Sequence, residues 1–173
     1  LPAAEVVDRY VRHGFSGLVV TDHLHPEYLS RIDTDHDWNK VIDHYLSGYR
    51  ASKQRGDEVG FQVLLGAELR FPENDNDYLV YGIDEAWLRS NPYVCCMSAR
   101  EFYIRRPFEG SYDMTQTFAS SLEDKVSLDL HEKKRRMEAG ESREGVERDL
   151  LGEGNLKEWY EALIKEMAGR TDG

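Results

Sequence analysis

The sequence predicts an α/β protein with a charged helical C-terminal segment. Three observations carry this reading. An amphipathic helix, a glycine turn and a short apolar strand open the chain, a second helix and strand follow, and everything from Leu122 onward is dense in Glu, Lys and Arg at helical spacing.

The elements follow in order. Residues 2–13 place Val6, Val7, Tyr10 and Val11 on one helical face, with Glu5, Asp8, Arg9 and Arg12 opposite and Gly14 as the stop. Residues 15–20 form a buried strand, and a polar loop rich in His and Asp runs from His23 to Asp37. A longer helix spans 38–55, with Val41, Ile42, Tyr45, Leu46 and Tyr49 on one face and Gly56 closing it. Residues 61–69 are the next strand, 72–76 a turn, and 77–83 a third strand, which reads as continued helix–strand alternation. Past Asn91-Pro92 the periodicity weakens, although 99–104 has the composition of a turn or more of helix. Helices are expected at 122–139, 143–151 and 155–167. The last begins with a capping box of Asn155 and Glu158, and it places Leu156, Trp159, Tyr160, Leu163, Ile164 and Met167 on one face. The chain therefore divides into an α/β domain over 1–121 and a helical segment over 122–173.

Composition bounds the function. A chain of 173 residues with 40% hydrophobic and 32% charged side chains can bury one ordinary core. Its 22 Lys and Arg against 33 Asp and Glu give a net charge of -11, which disfavours bulk attraction to nucleic acid or anionic lipid. Bound cations can still reverse the local field for a phosphate substrate. Cys95 and Cys96 are adjacent, a spacing that rarely bridges, and with no matching pair elsewhere they do not make a zinc site. With no apolar run near 20 residues and no basic-then-apolar leader, the expectation is a soluble cytoplasmic protein. The chain opens at Leu1 directly on a helix, which reads as a copy starting downstream of a first strand.

The chemistry gathers where two strands end. Gly17 to Val20 runs into Thr21-Asp22-His23, and Phe61 to Leu65 runs into Gly66-Ala67-Glu68, so an imidazole and a carboxylate reach C-terminal strand edges, where α/β sites gather. Imidazole and carboxylate suit zinc, manganese and iron, which makes His23 and Glu68 the candidate metal ligands. Asp22 alternates to the other side of an extended chain, so its role would be to orient a ligand. Asp129-Leu130-His131 offers a further pair, convergent on an extended segment and splayed on a helix; the surrounding pattern favours helix. Plainer roles are also open. Glu68 has Arg70 as an ion-pair partner, His25, His36 and His44 read as solvated, residues 33–37 as a helix-capping connection, and 133–136 as a solvated helix face.

The first helix, Gly14 to His23 and Val63 to Leu69 together resemble the polymerase-and-histidinol-phosphatase (PHP) family of metal-dependent phosphoesterases, over residues 1 to about 90 and including the strand at 78–83. The resemblance implies a partial or distorted (β/α)7 barrel holding two or three divalent ions (Zn, Mn or Fe) at its strand C-termini. It also implies hydrolysis of a small phosphorylated substrate by metal-bound hydroxide. It makes His23 and Glu68 metal ligands, with Glu68 a bridge between ions, and aligns Asp129 and His131 with the family's closing Asp-x-His. Asp22 falls at the catalytic site. The family's opening His-x-His strand has no counterpart, and Arg105-Arg106-Pro107-Phe108 carries arginine where a histidine is expected. The leading expectation is a metal-dependent phosphoesterase. Its rivals are a catalytically incomplete fragment or non-catalytic binding module and, more remotely, an amidohydrolase-like enzyme acting on a non-phosphate bond.

Overall fold

The computed structural model describes residues 1–32, 35–73, 76–105, 129–152 and 154–171. Helix α1 (Ala3–Arg12) leads through Gly14, whose φ of +81° only glycine adopts without strain, into strand β1 (Gly17–Val20). After the short helix α2 (Pro26–Leu29), helix α3 (Trp38–Val59) crosses back to strand β2 (Gln62–Arg70), which pairs in parallel with β1. Asp37 starts α3 by accepting a hydrogen bond from the Lys40 backbone N–H at 3.1 Å.

The expected stop at Gly56 is overturned. Gly56 lies inside α3, where an added Cβ would come within 2.5 Å of the Phe61 carbonyl oxygen, and the helix ends at Gly60 with φ +69°. The glycine serves close approach of helix to strand, and the left-handed cap comes one turn later.

Val63, Leu65, Ala67 and Leu69 alternate onto the face of β2 covered by α1 and α3, while Leu64 on the other face stays 48% exposed. Strand β3 (Asp77–Tyr81) then runs antiparallel to β2, with Glu68 opposite Leu79 and Arg70 opposite Asp77. The (β/α)7 barrel is therefore not what forms. Among the described residues the sheet has three strands in the order β1-β2-β3 and is open. A barrel needs a helical crossover between every pair of parallel strands. Residues 71–76 are only a short connection, so the chain reverses and the alternation ends there.

Helices follow: α4 (Glu85–Ser90), a 3-10 turn at Val94–Cys96, α5 (Ala99–Arg105), α6 over residues 129–138, α7 (Arg143–Leu151) and α8 (Leu156–Thr171). The first part of the helix expected at 122–139 lies outside the described residues. The N-cap half of the box expected at α8 forms, with the Glu158 N–H donating to Asn155 Oδ1 at 3.2 Å. The main core runs from Val41, Ile42 and Leu46 of α3 through Leu65 and Leu69 to Phe102, Tyr103 and, in α8, Tyr160 and Ile164, and a smaller cluster gathers Val7, Phe61 and Val63. Lys133 departs from the solvated face expected for 133–136. It is fully buried, donating to the Ile104 carbonyl and, at 2.6 Å, to Glu147 Oε1. Among the described residues no helix is long and apolar enough to cross a membrane.

Candidate functional site

The site begins with a continuation of strand pairing. Beyond β1 the chain stays extended beside β2: the Glu68 N–H donates to the Asp22 carbonyl at 3.0 Å, and the Leu24 N–H donates to the Glu68 carbonyl at 2.8 Å. His23 and Glu68 thus become parallel partners with side chains on one face. The Tyr45 hydroxyl, reaching up from α3, donates to the carbonyls of Asp22 at 3.2 Å and Gly66 at 3.0 Å, tying both strand ends to the helix. Burial holds the Tyr45 phenol well above its usual range, so it remains a donor.

His23 Nε2 lies 2.9 Å from Glu68 Oε2, and His23 Nδ1 lies 2.9 Å from His25 Nε2. An ionised carboxylate only accepts, so His23 donates to Glu68 through Nε2, while His23 Nδ1 and His25 Nε2 share one hydrogen bond whose direction is set by the tautomer. His25 is 5% exposed and its Nδ1 has no hydrogen-bond partner; the nearest carboxylate, that of Glu27, is 3.9 Å away. Burial first, then the charges of His23 and Arg70, hold His25 below the usual imidazole range, which keeps it neutral.

His25 was expected in a solvated loop, and this is a correction. The signal was present, because residues two apart on an extended chain share a face, and the rule that pairs 129 with 131 also pairs 23 with 25. The sequence marks Tyr45 only as a core position of α3, and no spacing announces its hydroxyl contacts.

Asp22 goes the other way. Its carboxylate lies over α3, where a Cβ on Gly48 would stand 3.3 Å from Oδ2, and desolvation there raises it above the usual carboxylate range while His23 pulls it down. Both ring nitrogens of His23 are taken by Glu68 and His25, so it is the Asp22 backbone, and not its carboxylate, that helps fix His23. Asp129 and His131 are not brought to this rim. They lie on α6, where two residues turn through about 200°, and Asp129 accepts from Arg100 Nε at 2.8 Å while His131 is exposed. Arg70 pairs with Asp77 and Glu27, not with Glu68. Arg106, Pro107 and Phe108 lie outside the described residues.

No protein-family profile, curated protein or solved structure matches this chain. The 2.9 Å between His23 Nε2 and Glu68 Oε2 is a hydrogen bond; two donors about 2.1 Å from a tetrahedral ion stand about 3.4 Å apart, so the pair would part by about 0.5 Å to hold one. Among the described residues no group of three or more His, Cys, Asp and Glu is arranged to hold a metal. His23 and Glu68 are the two side chains of this rim that would share an ion.

Proposed function

We propose that this chain hydrolyses small phosphate esters with a divalent ion, Zn, Mn or Fe, held by His23 and Glu68. The observation that supports the reading is their contact at the shared C-terminal edge of two parallel strands, the two residues that the PHP resemblance singles out. When bound, such an ion lowers the pKa of a water and offsets the charge of phosphate oxygens.

The protein's own groups supply the rest. Glu68 keeps only 21% of its side chain exposed, and a carboxylate so placed needs a cation or donors to offset desolvation. Tyr45 fixes the spacing of the two strand ends by holding a carbonyl from each. His25 fixes the plane of the His23 ring.

The test is metal content together with turnover. After incubation with Zn, Mn or Fe and dialysis, the protein should retain about one equivalent of ion and hydrolyse a chromogenic phosphomonoester only when loaded, and His23→Ala should lose both. Retention well below one equivalent with no hydrolysis by the wild type overturns the proposal. The reading as a non-catalytic binding module is favoured by one observation, that both ring nitrogens of His23 already have protein partners. It gains if the metal-loaded protein binds but never turns over a phosphate ester.

A further inference from the structure

The sheet leaves one strand edge open. Toward β2, the main chain of the first strand is paired through its even-numbered residues: Ser16 and Asp22 accept from the N–H groups of Gln62 and Glu68 at 3.0 Å, and the Leu24 N–H donates to the Glu68 carbonyl at 2.8 Å. In a parallel ladder the residues between them turn their N–H and C=O to the opposite side. Gly17, Val19 and Thr21 therefore present donors and acceptors along the outer edge of β1, where, among the described residues, the strand order β1-β2-β3 provides no neighbour. Such an edge is a template for another strand, and proteins usually blunt it with Lys, Pro or a bulge. Residues 17–21 read Gly-Leu-Val-Val-Thr, and the register to β2 runs unbroken from Gly17 to His23, so none of these devices is in place.

Two further observations choose the occupant. Exposed apolar side chains gather at this edge: Val19 on β1, Leu64 beside it on β2, and Tyr10, Val11 and Phe15 just before it. Charge is divided along the same line. Arg12 and His13, both exposed, precede β1, and Arg12 has no ion-pair partner among the described residues, while Asp22 and Glu68 stand at the C-terminal end. A second copy running antiparallel brings the basic end of each chain to the acidic end of the other in one isologous contact. The strip between those ends is uncharged, which lets two chains of net charge -11 approach there.

We propose that β1 pairs antiparallel with β1 of a second copy, joining the two sheets edge to edge. The main-chain groups on offer set the register: Val19 lies opposite Val19 of the other copy, exchanging both hydrogen bonds, and Gly17 lies opposite Thr21 in each direction. Val19 and Leu64 of both copies then share one face of the joined sheet. The pairing is independent of the hydrolase reading.

Sedimentation equilibrium of the full chain across the micromolar range should show a monomer–dimer equilibrium. Val19→Lys sets two ammonium groups side by side at the two-fold axis and should leave a monomer with an unchanged circular dichroism spectrum, since Val19 is exposed. Arg12→Glu, at an exposed position of α1, should raise the dissociation constant about tenfold. A short bis-maleimide tests the register. Val19→Cys should be linked to its own copy, because the two Cβ atoms stand about 5 Å apart; Leu64→Cys should not, although Leu64 is the more exposed, because three strand spacings of about 4.8 Å separate the copies. Cys95 and Cys96 are buried and leave the reagent to the new thiol. A wild type that stays monomeric, a Val19→Lys variant that dimerises like wild type, or equal linking at positions 19 and 64 overturns the proposal. Slow hydrogen exchange of the Val19 amide in a monomeric chain also overturns it and gives the edge to a strand of the same chain.

Discussion

The imidazole of His23 and the carboxylate of Glu68 meet at 2.9 Å across a parallel pairing whose backbone is hydrogen-bonded on both sides of Glu68. A glutamine has nearly the same shape and can still accept from His23 Nε2 through its amide oxygen. Glu68→Gln should therefore leave the thermal midpoint within a few degrees of wild type and weaken retention of Zn or Mn by at least about tenfold. Metal content measured after dialysis checks this; an unaltered affinity would remove Glu68 from the site.

Tyr45 holds both strand ends with one hydroxyl. Tyr45→Phe preserves the ring's packing and deletes the donor, so a loss of about 1–2 kcal/mol is expected in urea unfolding. Because the Asp22 and Gly66 carbonyls flank the rim, metal affinity should fall along with stability. A variant as stable as wild type would show that other donors suffice for these carbonyls.

Gly56 sits in the middle of α3, where alanine is ordinarily favoured by about 1 kcal/mol. Here an added methyl would meet the Phe61 carbonyl at 2.5 Å and Val63 Cγ2 at 2.8 Å, and the helix and strand would have to part. Gly56→Ala should destabilise by about 1–3 kcal/mol despite the better helix propensity. Chemical denaturation decides the sign.

Lys133 and Glu147 form a buried ion pair, with Arg143 Nε also on the Glu147 carboxylate at 2.9 Å. Burial pulls Lys133 below the usual ammonium range, and Glu147 raises it. Glu147→Leu strands the ammonium and should cost about 3–5 kcal/mol, whereas adding Lys133→Met should recover most of that loss. A double-mutant cycle reads the coupling; strictly additive effects would contradict a pairwise role.

His25 gives a pH signature. Its folded-state pKa is depressed by burial, so the neutral form is preferred in the fold while the unfolded chain takes up a proton near pH 6.5. The sign follows: its contribution is present above pH 6.5 and is lost progressively as pH falls below that value toward the lower folded-state pKa. Urea midpoints measured from pH 8 to pH 5 should decline more steeply for the wild type than for His25→Leu. Parallel curves would mean that the ring titrates alike in both states.

Local patterns were legible where one element met one partner. The helical face of α3, the strand at β2 and the capping box of α8 follow from periodicity and side-chain chemistry within a few residues. So did the placement of His23 and Glu68, since each lies directly past an apolar strand and parallel pairing aligns the two ends. What could not be read depended on distant partners. Lys133 looks solvated until Glu147, fourteen residues later, folds back over it, and His25 looks like a loop residue until the fold closes around it. The barrel that the PHP resemblance implies does not form, because residues 71–76 join β2 to β3 and a connection of that length permits only reversal.

That reversal governs the supply of donors. In an all-parallel sheet every strand empties its C-terminus onto the same edge, but the final residue of β3, Tyr81, pairs with Gly66 and points its chain away from the edge where Glu68 and Arg70 emerge. Among the described strands, β1 and β2 deliver side chains there from their C-terminal ends. Further groups for that edge come from the start of β3, whose Asp77 lies opposite Arg70, or from a segment that is not a strand, as His25 does at the entrance to α2.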